Sequence, residues 1–211
     1  MTHARAEREA LSDLLDSLGP EAPTLCEGWT TADLTAHLVV RERRPDAAGG
    51  IAIKPLAGYT ESVQNKVKAG KPYRELVDDV RQGPPRWSPY GLVPGLDAAV
   101  NTLEFFVHHE DVRRAQPGWE PRELPADLVE VMWKRVSGGA RLMLRKSPVG
   151  VVLRRTDGRK AGGKKAEPHV IVTGEPAELL LFAFGRQEHA RVTYEGDEAS
   201  IERLRGAKLG L

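Results

Sequence analysis

Asn101-Thr-Leu-Glu-Phe-Phe-Val-His-His-Glu-Asp-Val-Arg113 is the stretch on which the reading of this chain turns. Its apolar positions recur at helical spacing, and Pro117-Gly118 closes a helix predicted from about Leu96 to Ala115. Glu104 and His108 lie four residues apart on it, so a carboxylate and an imidazole project from one face, one turn apart. A second predicted helix, in Trp29-Thr-Thr-Ala-Asp-Leu-Thr-Ala-His-Leu38, carries His37 on the apolar face of Leu34 and Leu38. Packed side by side, the two helices bring three ligand-type side chains to one point. Two imidazoles and one carboxylate hold a divalent metal and leave coordination positions for water or substrate. The plain alternative is a helix-surface Glu–His pair worth about 0.2–0.5 kcal/mol. Leu103, Phe106 and Val107 argue for partial burial, and a buried Glu needs a cation or strong donors.

The neighbours of this pair divide by angle. Asp111, seven residues beyond Glu104 on the same face, is a candidate fourth ligand or a carboxylate that fixes the tautomer of a ligating His. His109 is rotated by about 100° toward a neighbouring helix. Glu110 reads as a solvated charge. Cys26 precedes the His37 helix, whose dipole favours a reactive thiolate, but a small buried hydrophobe at a turn is the simpler reading. His169 and His189 read as structural.

Working outward, His3 to Leu18 has helical spacing and stops at Gly19-Pro20. Thr30 is the N-cap of the His37 helix, with Asp33 at its third position, and Pro45 ends it. Residues 46–94 read as a loop-rich insertion with short helices at Tyr59–Ala69 and Tyr73–Gln82, then a Trp87- and Tyr90-bearing loop bounded by Pro84-Pro85 and Pro94. A helix from Ala126 to Leu144 completes a bundle of four or more. At Pro148 the composition changes. Val149-Gly-Val-Val-Leu153, His169-Val-Ile-Val-Thr173 and Val192-Thr-Tyr194 read as strands, with helices at Ala177–Phe184 and Ala199–Arg205. The expected architecture is mainly α, a metal-binding bundle over 1–146, followed by a small α+β module over 147–211.

The bulk composition excludes several roles. Thirty-one basic against 30 acidic residues leave a net charge of +1, so no global field draws nucleic acid or an anionic membrane. Arg154 to Lys165 carries six basic residues but no aromatic on which a base could stack, and reads as a solvated hairpin link turning at Asp157-Gly158. The longest apolar stretch, Leu179 to Phe184, is too short to span a bilayer, and no apolar segment follows Met1-Thr-His-Ala-Arg as a secretory signal requires. Cys26 is the only cysteine, which excludes an intrachain disulfide and suits the cytoplasm. A homodimer through the bundle is the default expectation.

Leu25-Cys-Glu-Gly-Trp-Thr-Thr-Ala-Asp-Leu-Thr-Ala-His-Leu38 resembles the N-terminal motif of the mycothiol-dependent maleylpyruvate isomerase and DinB-like metal-binding proteins of actinobacteria. Asn101 to Arg113 resembles their second metal motif, and Ala177-Glu-Leu-Leu-Leu-Phe-Ala-Phe-Gly-Arg186 the C-terminal module that often follows. The resemblance implies a DinB-like up-and-down four-helix bundle with a sterol-carrier-like α/β domain after it. It implies His37, Glu104 and His108 as ligands of Zn2+, or of Ni2+ or Fe2+, and Arg186 as a residue needed for activity. It further implies mycothiol or a similar low-molecular-weight thiol as cosubstrate, acting on a small electrophilic substrate as an isomerase or S-transferase. Two rivals stand beside this: a metal-dependent hydrolase with Glu110 or Asp111 as general base, and a non-catalytic metal- or ligand-binding protein.

Overall fold

Helix α1, His3–Leu18, starts where the Thr2 side chain accepts from the Arg5 amide, and ends at Gly19, whose φ of 77° few other residues adopt. It buries Ala4, Leu11 and Leu15. Helix α2, Thr31–Arg43, opens on the capping box expected of Thr30 and Asp33. Pro45 then begins a four-residue helix, α3, Pro45–Ala48. Helices α4, Ala57–Gly70, and α5, Tyr73–Gln82, match the two short helices read within the 46–94 segment. The long helix α6 spans Leu96–Arg113. The computed structural model describes residues 2–48, 54–88 and 96–210; Tyr90 and Pro94 of the expected loop lie outside them. Trp87 is exposed.

The chain forms two compact units, Met1–Pro121 and Arg122–Leu211. In the first, α1 lies along α6 and α5, while α2 packs on α4 and α5. Leu11, Leu15, Leu34, Leu38, Leu76, Val77, Phe105 and Val112 form its core. These apolar stripes are what the helical spacing anticipated, and they fix which faces of α2 and α6 meet.

The second unit begins with helix α7, Ala126–Met143, which packs along α8, Pro176–Ala183, and on strand β2. Its sheet has the order β2-β1-β3-β4, from β1 Gly150–Arg155, β2 Lys160–Gly162, β3 His169–Gly174 and β4 Thr193–Glu195. β1 and β3 are parallel; the two outer pairings are antiparallel. Helix α9, Glu198–Arg205, is capped by Asp197. The basic link is the β1–β2 hairpin turning at Asp157-Gly158 that the sequence suggests, and Arg155 and Arg159 both bind Glu130 of α7. The same contacts, with the buried stripe Leu128, Met132, Val136 and Ala140, keep α7 with the sheet. By its contacts α7 thus belongs to the unit that begins at Arg122, and the change of composition at Pro148 coincides with the start of the strands.

Candidate functional site

Helix α6 carries Glu104, His108 and Asp111 along one line, and α2 presents His37 to them. Glu104 Oε1 is 3.3 Å from His108 Nε2 and 4.0 Å from His37 Nε2. The His37 and His108 rings meet edge to face with centroids 5.4 Å apart, and Trp29 packs on the other side of His37 at 5.1 Å. Trp29 thus walls the site while also packing on the core; exposed Trp87 does not share that setting. The three ligand atoms lie within 4.8 Å of one another. Atoms bonded tetrahedrally to zinc at its usual bond lengths sit about 3.3–3.7 Å apart, so this set needs only small adjustment to hold such an ion.

Hydrogen bonding prepares the ligands. Asp111, fully buried, lies 3.0 Å from His108 Nδ1, which fixes that ring and turns Nε2 toward Glu104. Asp111 also accepts from Cys26 Sγ at 3.3 Å. Cys26 is half-buried against the core, and its thiol belongs to the Asp111–His108 group, a second set of closely placed ligand-type atoms. Burial opposes charge on Glu104, but the His108 and His37 rings and Arg41 hold its carboxyl well below the usual carboxylate range. Burial also opposes a proton on His108, yet Asp111, Cys26 and Glu104 together hold its ring well above the ordinary imidazole value. His37 goes the other way: burial, reinforced by His108 and opposed by Glu104, holds its ring below the ordinary imidazole value.

The remaining candidates separate. His109 turns to α1, as its angle required, with Nδ1 2.9 Å from Glu7 Oε2. Glu110 is not a solvated charge: it is 1% exposed and accepts from Arg114 Nε at 2.6 Å and from Arg113. Arg186 stands in the second unit, half-buried in the turn after α8, where it donates to Phe184 O at 2.7 Å. His169 is exposed and pairs with Glu167. The sequence reading missed Arg41, whose Nε lies 3.3 Å from Glu104 Oε1, and Asn101, which Arg41 Nη1 contacts. Spacing puts Arg41 four residues after His37 and Asn101 three before Glu104, on the same helix faces, but their burial comes from partners distant in sequence.

Fold and site together define a class: a mostly helical protein in which two helices converge a His–His–Glu set, followed by a unit with a small four-stranded sheet. Residues 4–137 match the family model of the mycothiol maleylpyruvate isomerase N-terminal domain, and the chain belongs to that family, within the DinB-like superfamily. Among solved structures, that of the mycothiol-dependent maleylpyruvate isomerase matches with a TM-score of 0.60 at 17% identity, covering 92% of this chain and 91% of that one. A histidine-to-alanine mutant of the same enzyme matches with a TM-score of 0.54 at 18% identity, with the same coverage. The fold is therefore that of the isomerase. No curated protein matches the chain. Among the described residues no helix is long and apolar enough to cross a membrane.

Proposed function

We propose that this protein is a thiol-dependent isomerase or S-transferase in which His37, Glu104 and His108 hold a divalent metal, zinc foremost. The carrying observation is the convergence of these three ligand atoms on one point, in a chain of this family. A divalent ion in such a set lowers the pKa of a bound thiol, so that thiolate is available at neutral pH. The chain's own residues prepare that chemistry: His37 offers a neutral ring, Glu104 stays ionised, and Asp111 fixes the orientation of His108. The cosubstrate is a low-molecular-weight thiol of the mycothiol type, and the substrate a small electrophilic organic acid. Thiolate adds to an electrophilic carbon of an activated double bond, whose π electrons move onto the adjoining carbonyl as an enolate; expulsion of the thiolate after rotation re-forms the double bond and gives isomerisation, and protonation of the enolate at carbon gives conjugation. The hydrolase reading loses a general base, because Glu110 is committed to Arg113 and Arg114. The finer architecture, a four-helix bundle bearing the site and a sterol-carrier-like module after it, belongs to the same proposal.

The direct test is turnover of maleylpyruvate with mycothiol, with another thiol, and with none. Turnover that needs a thiol supports the proposal; turnover in its absence overturns it. Arg186, matched through the C-terminal motif, is proposed to bind the substrate carboxylate by paired hydrogen bonds. Arg186→Ala is expected to raise KM for the acid at least tenfold while metal content stays constant.

The pH dependence of stability gives an independent check. In the metal-free protein, the raised pKa of His108 contributes stability that is full below about pH 6.5 and is lost as pH rises through the higher folded value. The lowered pKa of Glu104 contributes stability above about pH 4.5, lost only as pH falls through its depressed value. Metal binding requires His108 Nε2 without its proton, so metal affinity rises with pH. The Tm gained on adding zinc should therefore grow between pH 6 and 8.5, as scanning calorimetry will show. A polar network with no metal role predicts no zinc effect at any of these values.

A further inference from the structure

Behind Glu104 runs a chain of buried polar side chains. Arg41 Nε lies 3.3 Å from Glu104 Oε1, and Arg41 Nη1 donates to Asn101 Oδ1. Asn101 Nδ2 donates to Glu42 Oε1 at 3.0 Å. Glu42 in turn receives both terminal nitrogens of Arg8, at 2.7 and 2.6 Å, and Arg8 also donates to Val80 O at the end of α5. The Arg8 guanidinium lies over the Phe105 ring, 4.1 Å from its centroid. The four side chains are 8% exposed or less, and they tie α1, α2, α5 and α6 together.

Stability is a weak reason for such an arrangement. Burying two guanidinium groups and a carboxylate carries a desolvation cost that their attraction roughly offsets, and apolar residues of similar volume fill a core as well or better. Position is a stronger one. The Arg41 fork has one arm fixed on Asn101, so the nitrogen on Glu104 has little freedom. It meets the same oxygen, Oε1, that faces both His37 and His108. Groups that hold a ligating carboxylate by hydrogen bonds commonly change metal affinity 10–100-fold when removed.

We propose that Arg41, held by Asn101 and through it by the Glu42–Arg8 pair, is a positioning residue that fixes Glu104 Oε1 toward His37 and His108 and thereby sets the affinity and coordination geometry of the metal site. The inference rests on the metal reading above. It adds that the ligand carboxylate is aimed from the opposite side by a relay reaching α1 and α5.

Cobalt(II) tests it, because its visible absorption reports coordination geometry and its affinity is read by competition with a chromophoric chelator. The expected result is 10–100-fold weaker Co2+ binding and a changed visible spectrum in both Arg41→Lys and Asn101→Ala. Lysine keeps the charge but presents one point rather than a fork. Glu7→Gln is the control: it disturbs a buried pair, Glu7 with His109, between the same helices α1 and α6 but outside the relay. It is expected to lower Tm and leave Co2+ affinity and spectrum unchanged. If Arg41→Lys fails to fold, Asn101→Ala carries the test alone. A folded Asn101→Ala protein with wild-type affinity and spectrum overturns the relay. Wild-type protein that takes up no Co2+ overturns the metal reading itself, so the two failures are distinct.

Discussion

Replacing His37 with alanine is expected to reduce bound divalent metal from about one ion per chain to background, and thiol-dependent turnover with it. His37 is the most direct probe of the three. Burial lowers its pKa, and when it is removed Glu104 keeps His108 and Arg41 as partners. Its replacement takes away one of the three protein ligand atoms that converge at the site. Losing a ligand costs more than the 10–100-fold typical of groups that merely orient one. His108→Ala should abolish metal binding equally, but with a larger fall in Tm, because it also deprives Asp111 of its imidazole partner. The measurement is metal content by plasma mass spectrometry, on protein purified without a histidine tag, alongside far-UV circular dichroism. Full metal retention in folded His37→Ala protein would remove it from the ligand set.

Much of this site is written in local spacing. Glu104, His108 and Asp111 follow from helical geometry on one element, and the turn of His109 toward α1 follows from its angle. The capping box at Thr30 and Asp33 and the positive-φ stop at Gly19 are equally local, so they too are read directly. What escapes is set by the packing of distant segments. Strand β2 has only three residues, Lys160–Gly162, and exists because β1 is there to pair with it. Helix α7 has an apolar stripe that suits a bundle or a sheet equally well, and its contacts with α8 and β2 decide the matter. Arg41 and Glu42 carry the composition of a solvated helix face, yet they are 8% and 2% exposed. Only partners on α1 and α6, 34 to 60 residues away in sequence, make that burial tolerable.

Glu110 has the sequence setting of a solvated charge but is buried in the fold, and the difference has a measurable size. As a solvated charge, Glu110→Ala would change stability by no more than about 0.5 kcal/mol. In the folded protein Glu110 is 1% exposed and binds Arg114 Nε at 2.6 Å, while Arg114 is 3% exposed with its guanidinium over the Trp119 ring, 4.5 Å from its centroid. Removing the carboxylate breaks a buried ion pair at the Arg114 guanidinium, which typically costs about 3–5 kcal/mol. With roughly 2–4 °C per kcal/mol in a chain of this length, Tm should fall by about 10 °C. The cost belongs to the buried charge, not to the loss of a favourable bond. The double variant Glu110→Leu with Arg114→Met should therefore recover most of the loss. Metal content should stay constant throughout, since the pair is engaged with Arg113 and Trp119. A single variant with wild-type Tm would return Glu110 to the solvated surface. A double variant no better than the single one would mean that the carboxylate, and not its buried partner, supplies the stability.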